Sequence, residues 1–398
     1  MKKGFYFLSL FVAAGLVASC NKQPDTPVVD PVVVDEGKAV EVTVSIRGGQ
    51  GTKGADPGYA AESKVNTLQV FVFKDNELEA HRSVQGAMTA LIPATAGERS
   101  VWAVVNAPDL YELLNKSDQD PMTLEKLKAH MTALGENSVG NFVMAGDVKQ
   151  ELVDGGNVVV DVRRVVARVN IVKISASLKD YREAFSVKLR GIYIINAAGN
   201  VSYDMTIPAT EWFNKLAHLD EDYDALLFDN LLTSDIIVRN NEYEKDGGRI
   251  KEHEAYTPES IAQGQYVLAE GVTLKKDNSY TGDHVFYPYP NKYGNNDGTG
   301  GIYDDEWSPR GSILVLEAEM LDGDGKPIVL DSATGQTIGY YPLTLPVLER
   351  NKTYSIDEVR ITRLPGLVPY KPIETGESQV TITVHDWELG LNIGTINI

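Results

Sequence analysis

Cys20 is the one thiol in a chain of 398 residues, and its setting suits acylation. Val17-Ala18-Ser19 puts small residues directly before it, and Lys2 and Lys3 precede an apolar run from Phe5 to Leu16. That run falls short of the roughly 20 residues a membrane-crossing helix needs. A basic start, an apolar centre and small residues before a cut are the layout of an export signal. The segment resembles a bacterial lipobox, in which the thiol is diacylated and the chain is cut just before it. Residues 1–20 are therefore expected to be a lipoprotein signal peptide, with a palmitate-type covalent lipid on Cys20 of the precursor and no other cofactor. An ordinary signal with an incidental cysteine is the alternative. With no second cysteine, no intramolecular disulfide can form, and the rest of the sequence has no apolar run of transmembrane length.

Other constellations fall short of a reaction. His253-Glu254-Ala255-Tyr256-Thr257 begins like a zinc motif but carries Thr257 where the second histidine belongs. Asp322-Gly323-Asp324-Gly325 lacks a calcium loop's next ligand, because Lys326 follows, and reads as a hairpin turn. Asp220, Glu221, Asp222 and Asp224 read as a solvated acidic loop. The basic cluster Arg163, Arg164 and Arg168 lies in a valine-rich strand, where arginines line an exposed face or pair with acids. Trp212, Trp307 and Trp387, with Tyr287, Tyr289 and Tyr293, could form a glycan platform or simply pack. No serine elbow, phosphate loop or dinucleotide fingerprint occurs, so no catalytic residue or metal site is expected. The 37 basic and 56 acidic residues give a net charge of −19, or −21 once Lys2 and Lys3 are removed, which argues against nucleic acid as a partner.

The elements around these residues are mostly strands. Pro24, Pro27 and Pro31 make residues 21–39 an extended tether. Val40, Val42, Val44 and Ile46 then alternate with Glu41, Thr43 and Ser45, the pattern of a half-buried strand. Five glycines and a proline within 47–58 make the next stretch a protease-accessible loop. Further strands are expected at 67–74, 100–106, 141–145, 158–162, 165–174, 186–195 and 201–205. Later ones are expected at 265–268, 284–289, 312–320, 326–330, 337–345, 353–362 and 380–384. Helices are expected at 122–134 and 210–219. Short strands without a βαβ rhythm indicate β-sandwich modules, divided near 175–185. Val380, Ile382 and Val384 repeat the alternation of the first strand near the other end of the chain, before a last segment at Ile393–Ile398.

Several segments together resemble the FimA-type fimbrillins, lipoprotein precursors of surface fimbriae in Bacteroidales. They are the lipobox at Cys20, Glu62-Ser63-Lys64-Val65 leading into Leu68-Gln69-Val70-Phe71-Val72-Phe73, and Gly97-Glu98-Arg99 before Val104-Val105-Asn106. They continue in Arg164-Val165-Val166-Ala167-Arg168, Gln265-Tyr266-Val267-Leu268, Glu349-Arg350-Asn351-Lys352-Thr353-Tyr354-Ser355-Ile356 and Val384-His385-Asp386-Trp387. The resemblance implies a mainly β fold of two transthyretin-like β-sandwich domains with a few short helices. In that frame residues 21–53 are a propeptide of tether, first strand and cleavable loop. Residues 54–178 form the N-terminal domain and 179–398 the C-terminal domain.

The resemblance also implies a structural subunit rather than an enzyme. The precursor would sit lipid-anchored in the outer membrane until a protease cuts the loop. The family's best-known members are cut after an arginine. By distance from Glu62-Ser63-Lys64-Val65 that position is Lys53 here, and Arg47 lies nearer the strand. The freed strand (Val40, Val42, Val44, Ile46) would leave a groove for a donor strand of the next subunit, with Val380, Ile382 and Val384 as the candidate donor. Four buried branched side chains would contribute at most about 6–12 kcal/mol, so their loss leaves an open template for another chain. The expected partners are other fimbrial subunits, its own copies and accessory ones, together with host or bacterial surface ligands in adhesion and virulence. The expected final location is an extracellular fimbrium. The competing reading is a permanently anchored outer-membrane glycan-binding lipoprotein.

Overall fold

The alternation at 40–46 becomes β1 (Ala39–Arg47), with its four aliphatic side chains buried and Glu41 exposed. In this computed structural model the described residues are 36–48, 59–178, 186–195, 197–213, 265–275, 278–292, 311–367, 383–386 and 395–397. After β1 come α1 (Tyr59–Glu62), β2 (Thr67–Lys74), β3 (Glu77–Gln85), β4 (Thr89–Thr95), β5 (Gly97–Val105), α2 (Leu110–Leu114), α3 (Leu124–Ala129), β6 (Met131–Ala133), β7 (Met144–Leu152), β8 (Asn157–Asp161) and β9 (Arg163–Arg164).

Among the described residues β1 is the middle strand of a three-stranded sheet, β4-β1-β8, which faces a five-stranded sheet, β3-β2-β5-β7-β9. Strand alternation sends Leu68, Val70 and Val72 of β2 and Val101, Ala103 and Val105 of β5 to one face. All six are fully buried, as are Val42, Val44, Ile92 and Val160 of the smaller sheet. The opposite face of β2 and β5, with Phe71, Phe73, Trp102 and Val104, belongs to a second core that includes Leu110 of α2 and Leu127 of α3.

The later strands are β10 (Arg168–Ala176), β11 (Ser186–Ile195), β12 (Ala197–Ala198), β13 (Asn200–Ser202), β14 (Trp212–Phe213), β15 (Gln265–Lys275), β16 (Ser279–Phe286), β17 (Ile313–Leu321), β18 (Ile338–Thr344), β19 (Lys352–Ile356), β20 (Glu358–Ile361), β21 (Thr383–Asp386) and β22 (Thr395–Asn397). One sheet runs β21-β19-β10-β20-β22, with β16 also on β10, and another runs β15-β11-β17-β18. Ile171, Val187, Leu189, Leu316, Tyr354 and Ile356 fill the same core as Phe71 and Trp102, so apolar packing is continuous from the first strands to the last. The expected domain limit at 178 falls just past β10, whose sheet partners all come from later in the chain.

The chain is mainly β, as its patterning implied, and several elements depart from the expected list. The helix expected at 122–134 stops at Ala129, because Met131–Ala133 pairs with β13. Thr123 caps its start through Oγ1 on the Lys126 N–H at 3.1 Å. The helix expected at 210–219 begins instead as β14, which pairs with Ala197–Ala198; the remainder lies outside the described residues. The strand expected at 326–330 reduces to one bridge between Leu321 and Pro327, since proline brings no N–H to a ladder. Asp322 does form a turn: its Oδ1 accepts from the N–H groups of Asp324 and Lys326 at 2.9 and 2.8 Å. β3 and β4 went unforeseen, as did the short β6, β9, β12 and β14, and β4 is a wall of the groove described next.

Candidate functional site: the groove around the first strand

β1 lies antiparallel to β4, from Ala39 opposite Thr95 to Ser45 opposite Thr89, and parallel to β8, from Thr43 beside Asn157 to Arg47 beside Asp161. Loop groups extend the ladder: the Glu41 N–H donates to Asp154 Oδ1 at 3.1 Å, and Gly155 N–H donates to the Glu41 carbonyl at 2.9 Å. The Ser45 hydroxyl donates to Asn157 Oδ1 at 3.3 Å. Val40, Val42, Val44 and Ile46 are each no more than 6% exposed. They lie beside Ala90, Ile92 and Ala94 of β4 and Val158 and Val160 of β8, all buried. The removable strand inferred from the sequence therefore sits in a two-walled apolar groove.

The groove has a polar end. Arg47 makes a two-pronged ion pair with Asp161, Nε to Oδ1 at 2.6 Å and Nη2 to Oδ2 at 2.8 Å, at the surface. The Arg47 guanidinium, with Arg163 nearby, holds the Asp161 carboxyl below its usual range. The Arg47 carbonyl accepts the Val162 N–H at 2.8 Å. Gly48 then turns away with φ of +101°, and a Cβ there would stand 2.5 Å from the Val162 carbonyl oxygen, so only glycine fits. This end opens on a cleft of about 1130 Å³ whose lining includes Asp161, Arg163, Asp147 and Arg350. Arg350 donates to the carbonyls of Tyr203 and Ala145, and burial together with Arg163 lowers its guanidinium to about 10.

On the far side of the 49–58 segment the attachment is of another kind. Glu62, at the end of α1, is 2% exposed. Its carboxylate faces Arg168 Nε at 3.2 Å and accepts the Tyr287 hydroxyl at 2.6 Å. Arg164, 1% exposed, donates to the Glu62 carbonyl at 3.0 Å, the Ser63 hydroxyl at 2.8 Å and Asn351 Oδ1 at 3.2 Å. Burial, reinforced by the Glu62 charge, pushes the Tyr287 phenol far above its ordinary range. Two of the three clustered arginines thus pair inward, and Arg163 alone faces out.

Of the other sequence candidates, Cys20, Lys53, Val380 and Ile382 lie outside the described residues. Val384 lies in β21, opposite Tyr354 of β19. β21 and β22 are the two outer strands of their sheet, each paired on one side only among the described residues. Tyr287 and Tyr289 are core residues and not a platform; Tyr289 takes hydrogen bonds with Asn137 and Ala133. Trp307, Trp387, Tyr293, the 220–224 acids and His253 lie outside the described residues. Among the described residues no group of three or more His, Cys, Asp or Glu is placed to hold a metal, and no helix is long and apolar enough to cross a membrane.

Residues 40–172 match the family model of the major fimbrial subunit protein (FimA). No curated protein gives a match to the chain. Among solved structures, a proposed cell adhesion protein from Bacteroides eggerthii superposes with a TM-score of 0.55 at 15% identity, covering 91% of this chain and 98% of that one. The fimbrilin FimA from Porphyromonas gingivalis W83 gives 0.51 at 17% identity over 90% and 96%. A proposed cell adhesion protein from Parabacteroides distasonis gives 0.53 at 16% over 88% and 99%. At these identities the likeness is one of fold, and it is the β-sandwich fold of fimbrilins. The family is one of structural subunits of cell-surface fimbriae, not of enzymes. The match begins at Val40, on the strand that fills the groove, and ends at Val172, within β10.

Proposed function

We propose that this protein is a fimbrial subunit that is exported as a lipoprotein, held at the outer membrane through Cys20, and polymerised by proteolysis and donor-strand exchange. One observation carries the reading: the strand that joins the expected anchor to the body is the middle strand of its sheet. Cutting after it would remove anchor and strand together and open two ladder edges at once. β4 and β8 would be left with unpaired backbone groups and an aliphatic floor, a site for β-augmentation by a second copy. A contact of this kind, groove to strand, propagates instead of closing.

Lys53 is the better processing point. Cutting after Arg47 would require the protease to pull the Arg47 carbonyl from Val162 and open the ion pair with Asp161. Lys53 lies beyond the last of these contacts. The donor proposed here is the segment of Val380, Ile382 and Val384, whose last residue lies in β21, an outer strand of its sheet among the described residues. The modules we propose remain an N-terminal one to about residue 178 and a C-terminal one after it, and the adhesion target would be a host or bacterial surface. Permanent anchoring with glycan binding has less support, because Tyr287 and Tyr289 are committed to the core.

The test is to treat purified precursor with trypsin and follow it by SDS electrophoresis and N-terminal sequencing. The expected result is a ladder of SDS-resistant polymers whose subunits begin at Gly54. Subunits that assemble while still acylated at Cys20 would refute the scheme.

A further inference from the structure

The departing strand and the candidate donor share more than alternation. Val42-Thr43-Val44-Ser45-Ile46-Arg47 and Val380-Thr381-Ile382-Thr383-Val384-His385 agree in kind at all positions: aliphatic, threonine, aliphatic, hydroxyl, aliphatic, cation-capable. We infer that the incoming strand lies in the groove in the direction of β1 and in this register, with His385 of one subunit replacing Arg47 opposite Asp161 of the next. The inference rests on the strand-exchange reading and adds its direction, its register and a specificity-determining pair.

Three features of the groove select this alignment. The buried positions of Val42, Val44 and Ile46 would receive Val380, Ile382 and Val384. Sliding the strand two residues the other way would put Asp386 in the buried site of Ile46, an uncompensated charge. Thr383 would take the place of Ser45, whose hydroxyl bonds Asn157, so a donor is retained there. Residue 386 would fall at Gly48, where no side chain fits the strand path past the Val162 carbonyl, so the shared segment ends where the groove ends. Running the strand backwards would instead set Gln379 against Asp161 and bring His385 to the place of Glu41, beside Asp154.

The substitution of histidine for arginine makes the joint sensitive to pH. Arg47 is charged throughout the working range, whereas His385 gains its charge only on acidification. Asp161 would attract the imidazolium. Arg163 on β9 and Asp147 on β7, which line the same cleft, act in opposite directions on it. An exposed pair of this type alters a dissociation rate by about two- to fivefold.

The experiment uses polymers assembled from the full precursor after trypsin activation, and measures subunit loss at about pH 5.5 and about pH 8, either side of the ordinary histidine range. Loss is expected to be slower at the acidic pH for the unsubstituted chain. His385→Gln and Asp161→Asn should each remove the difference, and His385→Arg should give the slow rate at both pH values. A pH ratio that is the same in all four proteins overturns the register while leaving strand exchange standing. A ratio abolished by Asp154→Asn but not by Asp161→Asn also overturns it, in favour of the reverse direction. Failure of the unsubstituted precursor to form a ladder refutes strand exchange itself.

Discussion

The segment 49–58 separates two attachments that differ in every physical respect. Before it, β1 is held by aliphatic side chains and a regular backbone ladder. After it, α1 is held by one buried carboxylate among two arginines and a tyrosine. An aliphatic strand can be exchanged for another of similar shape, because burial has no directionality and cores tolerate aliphatic swaps. A buried carboxylate cannot leave without taking the facing charge from Arg168 in a dry setting. The contrast agrees with the proposal that a cut would release the side before the loop. The piece before the loop suits the proposed exchange, and the piece after it is fixed to strands far along the chain.

The largest effect is expected at the fixed side. Glu62→Ala removes the carboxylate that faces buried Arg168 and should lower stability by about 3–5 kcal/mol in a denaturant titration, without hastening release of a cut β1. A loss within the range of ordinary surface variants would remove the claim that α1 is the fixed point. Val44→Ala comes next, at about 2 kcal/mol for two methyl groups and the space they leave. It should also speed release of the cut strand in a gel-filtration assay, the reverse of the Glu62→Ala behaviour. Equal release from both variants would erase the distinction.

A smaller effect depends on pH. His81 lies between Phe71 and Tyr111, with ring centres 4.8 and 4.7 Å away, and its Nε2 has no hydrogen-bond partner among the described residues. Burial lowers its pKa, against the opposing pull of Asp109. The folded state therefore resists a proton that the unfolded chain accepts, so stability is full above the ordinary value of 6.5 and falls as pH drops below it. Melting scans across that range should show the decline, and His81→Phe should flatten it. The smallest effect is Arg47→Ala. Its exposed ion pair contributes less than about 1 kcal/mol, and the melting point of the uncut precursor should scarcely move; a large loss would show that the groove is held by its polar end.

Much of the replaceable side could be read from the sequence, and little of the fixed side. Val40 to Ile46 announces itself because one buried face and one wet face give a period of two. β2 and β11 are found within the residue limits expected for them. β4 escaped notice because Pro93 breaks its pattern and Leu91, 52% exposed, points outward where a polar residue would be expected. β3 (ELEAHRSVQ) has only scattered apolar residues. The joint at Glu62 has no local signal at all: its arginines and Tyr287 stand 102, 106 and 225 residues away in sequence, and only folding brings them together. Arg164 and Arg168 were legible as residues that pair with acids, but which acid was not.

Pro93 has a consequence of its own. It stands opposite Glu41, and the Glu41 backbone groups turn towards Asp154 and Gly155, so this position of β4 directs its backbone nitrogen away from β1. That nitrogen carries no hydrogen. Two residues on, the Thr95 N–H is taken by the Glu79 carboxylate. The outer rim of β4 is thus blunted at both places, while its inner rim keeps a full set of donors and acceptors. Sideways pairing of chains along that rim is disfavoured by Pro93 and by the Glu79 contact alike.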